Sequence, residues 1–126
     1  MGVGWVLDIS KLKAVWSKPY LTEAPHLIVV MKQAQLIGGS NEITSMHYNQ
    51  ISIGIAVGIL IAALHDAGLA TVITYPLYGG EKIRKQLKRP WDEEVFLLLP
   101  VGFPAKNATA PDLKRKPIEE IIRCYV

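Results

Sequence analysis

One cysteine, Cys124, is all that the 126-residue sequence holds, two positions from its end. A lone thiol cannot close an intramolecular disulfide, a Cys-based zinc cluster or a Cys-x-x-Cys redox pair, so a reducing compartment is the natural fit. Excess charge of one sign is scarce too. Fourteen Lys and Arg against eleven Asp and Glu leave +3, too modest and too scattered to predict nucleic-acid binding. The opening Met-Gly-Val-Gly-Trp-Val-Leu-Asp lacks the basic start and continuous apolar run of a secretory signal. The charge-free run from Tyr48 to Leu64 contains Asn49, Gln50 and Ser52 and is closed by His65 and Asp66. It falls short of the about 20 apolar residues a membrane span needs and reads as a buried core helix. Phosphate-binding loops, dinucleotide turns, His-Glu-x-x-His and Gly-x-Ser-x-Gly are all missing. His26, His47 and His65 are too far apart for a local metal site and read as structural. Asn107-Ala-Thr109 fits the glycosylation pattern by accident, given no leader to carry it outside.

Half of the sequence is hydrophobic and a fifth charged, proportions that build one globular domain or a piece of one. Asp8 or Ser10 can cap a helix over Lys11 to Trp16, with Pro19 beyond it. After Pro25, His26 to Lys32 is a β-branched run that predicts a buried strand. Gln33 to Met46 has loop composition around Gly38-Gly39-Ser40-Asn41. A long apolar helix is expected from Tyr48 to Ala67, stopped by Gly68. Along it Gln50, Gly54, Gly58 and Ala62 recur every fourth position and form a stripe on which another helix, of this subunit or another, can approach closely. Leu69 to Tyr75 predicts a strand stopped by Pro76, Glu81 to Lys88 a cationic helix, and Val95 to Leu99 a strand ended by Pro100. From Gly102 onward prolines break up a polar tail that has too few apolar residues to fold alone.

Two features stand out chemically: the strand end Thr74-Tyr75-Pro76 and the basic cluster Lys114-Arg115-Lys116. A strand-end hydroxyl or amide can donate to a cofactor ring, and a guanidinium fork suits a phosphate. The stretches His47-Tyr-Asn-Gln-Ile-Ser-Ile, Ala62-Ala-Leu-His-Asp-Ala-Gly-Leu69, Leu97-Leu-Leu-Pro-Val-Gly-Phe-Pro104 and Ala108-Thr-Ala-Pro-Asp-Leu-Lys-Arg-Lys-Pro117 resemble the C-terminal half of the iodotyrosine deiodinases, a branch of the nitroreductase flavoproteins. The last of these blocks and the Trp5 to Lys18 segment resemble the deiodinase branch in particular.

The resemblance implies an α+β fold: a nitroreductase-like mixed sheet with a long buried central helix and an extended C-terminal arm, residues 1–126 forming the C-terminal part of one FMN domain. It implies reductive dehalogenation of mono- and diiodotyrosine or other halotyrosines, with NADPH as the ultimate reductant through an electron-donating reductase, in a homodimer that exchanges arms. By position Lys18 matches the lysine that holds the substrate carboxylate, Arg115 an arginine that contacts the FMN, and Ile73, Thr74 and Tyr75 the segment along the flavin. No catalytic side chain and no metal ligand is implied among these residues. Threonine is usual in the family where Ile73 and Tyr75 stand, which makes a nitro- or quinone-reducing relative an alternative. The family's phosphate-gripping arginines and lid tyrosine and glutamate are expected before Met1, along with any membrane anchor, so this chain is expected to be soluble or cytoplasm-facing. A second alternative is therefore a non-catalytic dimerisation fragment.

Overall fold

The computed structural model describes residues 17–33, 36–37, 43–44, 49–110 and 112–125; the helix expected over Lys11 to Trp16 lies outside them. The chain divides into two compact units, Lys18–Pro104 and a second made of Met1–Ser17 with Ala105–Val126.

In the first unit a single helical turn, α1 (Tyr20–Glu23), opens on Pro19, which is preset for the helical φ it adopts there (−58°). It closes at Ala24, whose extended ψ of 135° is what the following proline demands. Strand β1 (His26–Gln33) then pairs antiparallel with β5 (Glu93–Gly102) through eight partners, from His26 opposite Val101 to Gln33 opposite Glu93. The register shifts between Val30, opposite Leu97, and Met31, opposite Val95, so Phe96 is bulged out of the ladder. Lys32 fills the surface beside the bulge, its ammonium 3.0 Å from Glu94 Oε2 and 5.8 Å from the centre of the Phe96 ring. Within the stretch expected to be loop, β2 (Leu36–Ile37) and β3 (Ile43–Thr44) pair as a two-rung antiparallel ladder.

Helix α2 (Asn49–Asp66) is the expected long helix. It ends in a Schellman turn: Gly68 takes φ +75°, its N–H reaches the His65 carbonyl at 2.9 Å, and the Leu69 N–H reaches Leu64 at 2.9 Å. The burial anticipated for this helix is not supplied by the described residues. It packs against β1 and against β4 (Ala70–Thr71), but only Val57 is buried, while Ile51, Ile55 and Ile59 are 59–66% exposed. One narrow sheet covers one line of a helix that is apolar all round. Its 18 residues, of mean hydropathy 1.4, meet the length and composition of a membrane span; the polar Asn49, Gln50, Ser52, His65 and Asp66 at its ends and its packing on the sheet fit a helix of a globular domain.

The strand expected over Leu69 to Tyr75 is broken in two, leaving β4 and a single bridge from Thr74 to Leu98. The cause sits on the neighbouring strand. β4 pairs with β5 at Ala70–Gly102 and Thr71–Val101, and the same register sets Val72 opposite Pro100, which has no N–H for the Val72 carbonyl. Pro100 does not end β5, which continues to Gly102 at the centre of the sheet order β1-β5-β4. Helix α3 (Gly80–Gln86) starts at Gly79, φ +90°, and packs on β5. The described core is Val57, Val95, Leu98, Leu99 and Val101, so β5 is its centre. Both ladders of this sheet are antiparallel among the described residues.

In the second unit, a turn at Ala105–Ala108 precedes an irregular exposed stretch and the single-turn α4 (Ile118–Ile121) after Pro117.

Candidate functional site

The strand end at residues 73–75 is positioned by β5. Thr74 donates its N–H to the Leu98 carbonyl at 2.9 Å and accepts the Leu98 N–H at 2.8 Å. Leu98 is buried, so Thr74 is tied to the core. Because peptide groups of an extended chain alternate sides, this pairing turns those of Ile73 and Tyr75 toward the open edge of the sheet. No hydrogen bond among the described residues engages either backbone, and the two side chains are 55% and 60% exposed. The edge therefore offers N–H donors that nothing among the described residues satisfies, leaving them to solvent or a ligand. That donor set fits the flavin ring that the resemblance implies, whose carbonyls and bare nitrogens need donors.

The Thr74 hydroxyl, by contrast, is already partnered. It lies 3.2 Å from the Tyr20 hydroxyl, in a half-buried pair that joins α1 to the sheet. Lys18 is two residues from Tyr20, and its carbonyl accepts the Leu21 N–H at 3.0 Å. The turn carrying Lys18 and the strand end carrying Ile73, Thr74 and Tyr75 are thus brought together by one side-chain contact. Tyr20 is a residue that sequence reasoning missed, and no signal marked it: the pair is separated by 54 positions. Thr71 was missed as well; its hydroxyl is buried without a partner among the described residues.

Arg115 belongs to the second unit, where it and its neighbours Lys114 and Lys116 are exposed. It makes no ion pair or side-chain hydrogen bond among the described residues, and its guanidinium carries five donors.

Tyr75 also borders an open groove of about 390 Å³, shared with Pro76, Leu77, Arg84 and Trp91. A larger depression of about 540 Å³, between Val29, Met31, Leu87 and Arg89, touches none of the predicted site residues. One ion pair lies within α3 and another on the turn that leads from it into β5. The Glu81 carboxylate sits 2.6 Å from Lys85 Nζ, and Arg89 binds Glu93 with both Nε (2.7 Å) and Nη2. The bonds from Lys85 and Arg89 hold the Glu81 and Glu93 carboxyls below the usual range, and Glu93 pushes the Arg89 guanidinium up. No group of three or more metal-ligating side chains occurs among the described residues.

Comparison with known proteins sets this arrangement in a family. The nitroreductase family model matches residues 7–103. Iodotyrosine deiodinase 1 of Homo sapiens is 49% identical over 122 residues, covering 97% of this chain and 42% of that protein. The iodotyrosine dehalogenase 1 homolog of Caenorhabditis elegans is 46% identical over 124 residues, 98% of this chain and 38% of that protein. The chain thus spans less than half the length of these curated relatives. Among solved structures, oxidised iodotyrosine deiodinase bound to FMN and 3-iodo-L-tyrosine superposes with a TM-score of 0.70 at 28% identity, over 100% of this chain and 60% of the other. A nitroreductase family protein from Streptococcus pneumoniae shares the fold, with a TM-score of 0.63 at 19% identity over 82% of this chain and 66% of the other.

Proposed function

This chain belongs to the nitroreductase family, and we propose that it serves FMN-dependent reductive dehalogenation of halotyrosines. The observation that carries the reading is the span of the likeness. Identity of 46–50% to iodotyrosine deiodinases runs through at least 97% of the chain, and so takes in Lys18, Ile73, Thr74, Tyr75 and Arg115 in one match. The solved relative, with FMN and 3-iodo-L-tyrosine in place, supplies the ligand pair to test.

FMN would deliver the two electrons that, with a proton, replace the carbon–halogen bond by carbon–hydrogen and release halide. The roles proposed for the chain's own groups are those the resemblance implies, and the chemistry of each group suits its role. The Lys18 ammonium binds the substrate carboxylate, holding the amino acid by a charge-assisted bond. The peptide groups of Ile73 and Tyr75 donate to the flavin edge, and Thr74 fixes their position through Leu98. Arg115 binds flavin phosphate with its guanidinium fork. With isoleucine and tyrosine in place of the family's threonines at positions 73 and 75, backbone amides are the proposed donors beside Thr74. Mono- and diiodotyrosine are the proposed substrates, with NADPH as ultimate reductant by way of a separate reductase. A soluble or cytoplasm-facing location fits that reductant.

The exposed face of α2 supports assembly as a homodimer, with the tail after Gly102 exchanged as an arm. The same exposure favours a second reading, a non-catalytic chain that keeps the dimerisation helix. A visible absorption spectrum of the purified protein, after incubation with FMN and removal of free flavin, separates the two. Near one flavin per subunit, followed by iodide release from 3-iodotyrosine under dithionite, is expected. A colourless protein that still associates would favour the second reading, and a flavin-loaded protein that reduces a nitroaromatic but leaves iodotyrosine intact would overturn dehalogenation.

A further inference from the structure

Helix α1 is a single turn with no buried residue, and one turn has almost no helical stability of its own. It nonetheless carries Lys18 at its start, through the bond from the Leu21 N–H to the Lys18 carbonyl. Among the described residues its one side-chain hydrogen bond to the sheet is Tyr20 to Thr74 at 3.2 Å. Thr74 is a firm anchor because its own N–H and carbonyl are both spent on buried Leu98. Each part of this chain of contacts fixes the next: the core holds Thr74, Thr74 holds Tyr20, and Tyr20 holds the turn from which Lys18 extends.

We propose that Tyr20 is a positioning residue whose hydroxyl latches the Lys18 turn onto the strand end at Thr74, so that the cation for a carboxylate and the peptide edge for a flavin share one frame. The latch stands on the geometry alone; its consequence for substrate rests on the dehalogenase reading. Without it, Lys18 would still be present and charged, but its turn would sample open positions, and part of the substrate-binding energy would go into ordering it.

The test uses Tyr20→Phe, Thr74→Val and the double variant in the full chain, substitutions that keep shape and remove only hydroxyls. Amide hydrogen exchange of Leu21 to Ala24 should quicken about fivefold in each single variant, the effect of losing one net hydrogen bond. The double variant should be no faster than either, since both changes remove the same bond. In flavin-loaded Tyr20→Phe the KM for 3-iodotyrosine should rise by a similar factor, with kcat and flavin content unchanged; Thr74→Val, which lies along the flavin, is read by exchange alone. Unaltered exchange in Tyr20→Phe, or additive effects in the double variant, would overturn the latch. Faster exchange with an unchanged KM would overturn its role in substrate binding. A wild-type chain that takes up neither flavin nor iodotyrosine would sink the dehalogenase reading and the link to substrate with it, while exchange still decides the latch.

Discussion

A methyl group at position 102 has nowhere to go. A Cβ on Gly102 would stand 2.9 Å from Pro25 Cδ and 3.3 Å from its Cγ, and both belong to a ring closed onto the backbone just before β1 begins. Gly102→Ala should destabilise the protein by about 1–3 kcal/mol, read from urea denaturation, with the β1–β5 ladder opening first. Lys88 presents the opposite case. It holds φ +53° just past α3, where the Lys88 N–H bonds Lys85 and the Arg89 N–H bonds Arg84, both at 3.0 Å. This is the Schellman turn that Gly68 forms after α2, made here by a residue with a Cβ. Lys88→Gly should therefore stabilise the protein by about 1 kcal/mol in the same assay. At the site, Lys18→Ala should raise the KM for halotyrosine about tenfold or more, the worth of a charge-assisted bond, and leave flavin content unchanged. Equal KM in the variant and the parent would refute the role of Lys18. Such residues were legible because their chemistry is local. Tyr20 was not, since its meaning comes from a partner 54 positions away.

The elements read well where stop signals and apolar periodicity agreed. Gly68 marked the end of α2 to within two residues, and the run after Pro25 gave β1. The short helix α1 escaped notice because four residues offer no period, and β4 was over-extended because the break lies in Pro100, on another strand. Pro100 was itself misread as a stop: proline removes one donor on one side, and β5 continues because its ladder to β1, including Leu27 opposite Pro100, is intact. Helix α3 and the turn that follows it carry a pH dependence of their own. Glu81 and Glu93 have carboxyls held below their ordinary value by Lys85 and Arg89. Their pairs thus contribute fully above that ordinary value, about pH 4 to 5, and are lost as pH falls through the lowered one. Exchange of the amides of residues 83–89, corrected for intrinsic rates, should quicken as pH falls below the ordinary carboxylate range, and Glu81→Gln with Glu93→Gln should abolish that step.

For the molecule as a whole, the unanswered surface is α2. Any Cβ added at Gly54 or Gly58 meets no atom of the described residues within 4 Å, so nothing among those residues calls for these glycines, and each costs the helix about 1 kcal/mol relative to alanine. They make sense against a second body. Gly58→Leu should leave the unfolding midpoint of the isolated chain unchanged or raised while shifting a dimer to monomer in analytical ultracentrifugation; a dimer unaffected by the leucine would place the interface elsewhere. The sequence foretold this helix, its stripe and the difficulty of surrounding it with one small layer, but not which of its residues the described sheet would leave bare, because exposure depends on what surrounds a helix rather than on what it contains.

The register of the central sheet has a consequence in time. His26 pairs with Val101 and Gln33 with Glu93, so the ladder that organises the core can form only after nearly the whole first unit has been synthesised and its ends have found each other. Closing a loop of that length before any long-range contact rewards it slows folding. Throughout that delay α2, made of local contacts, can form early and stand in solvent with its isoleucines outward. Low temperature, slow synthesis and an available partner should therefore govern the yield of soluble chain more than the stability of the finished fold does.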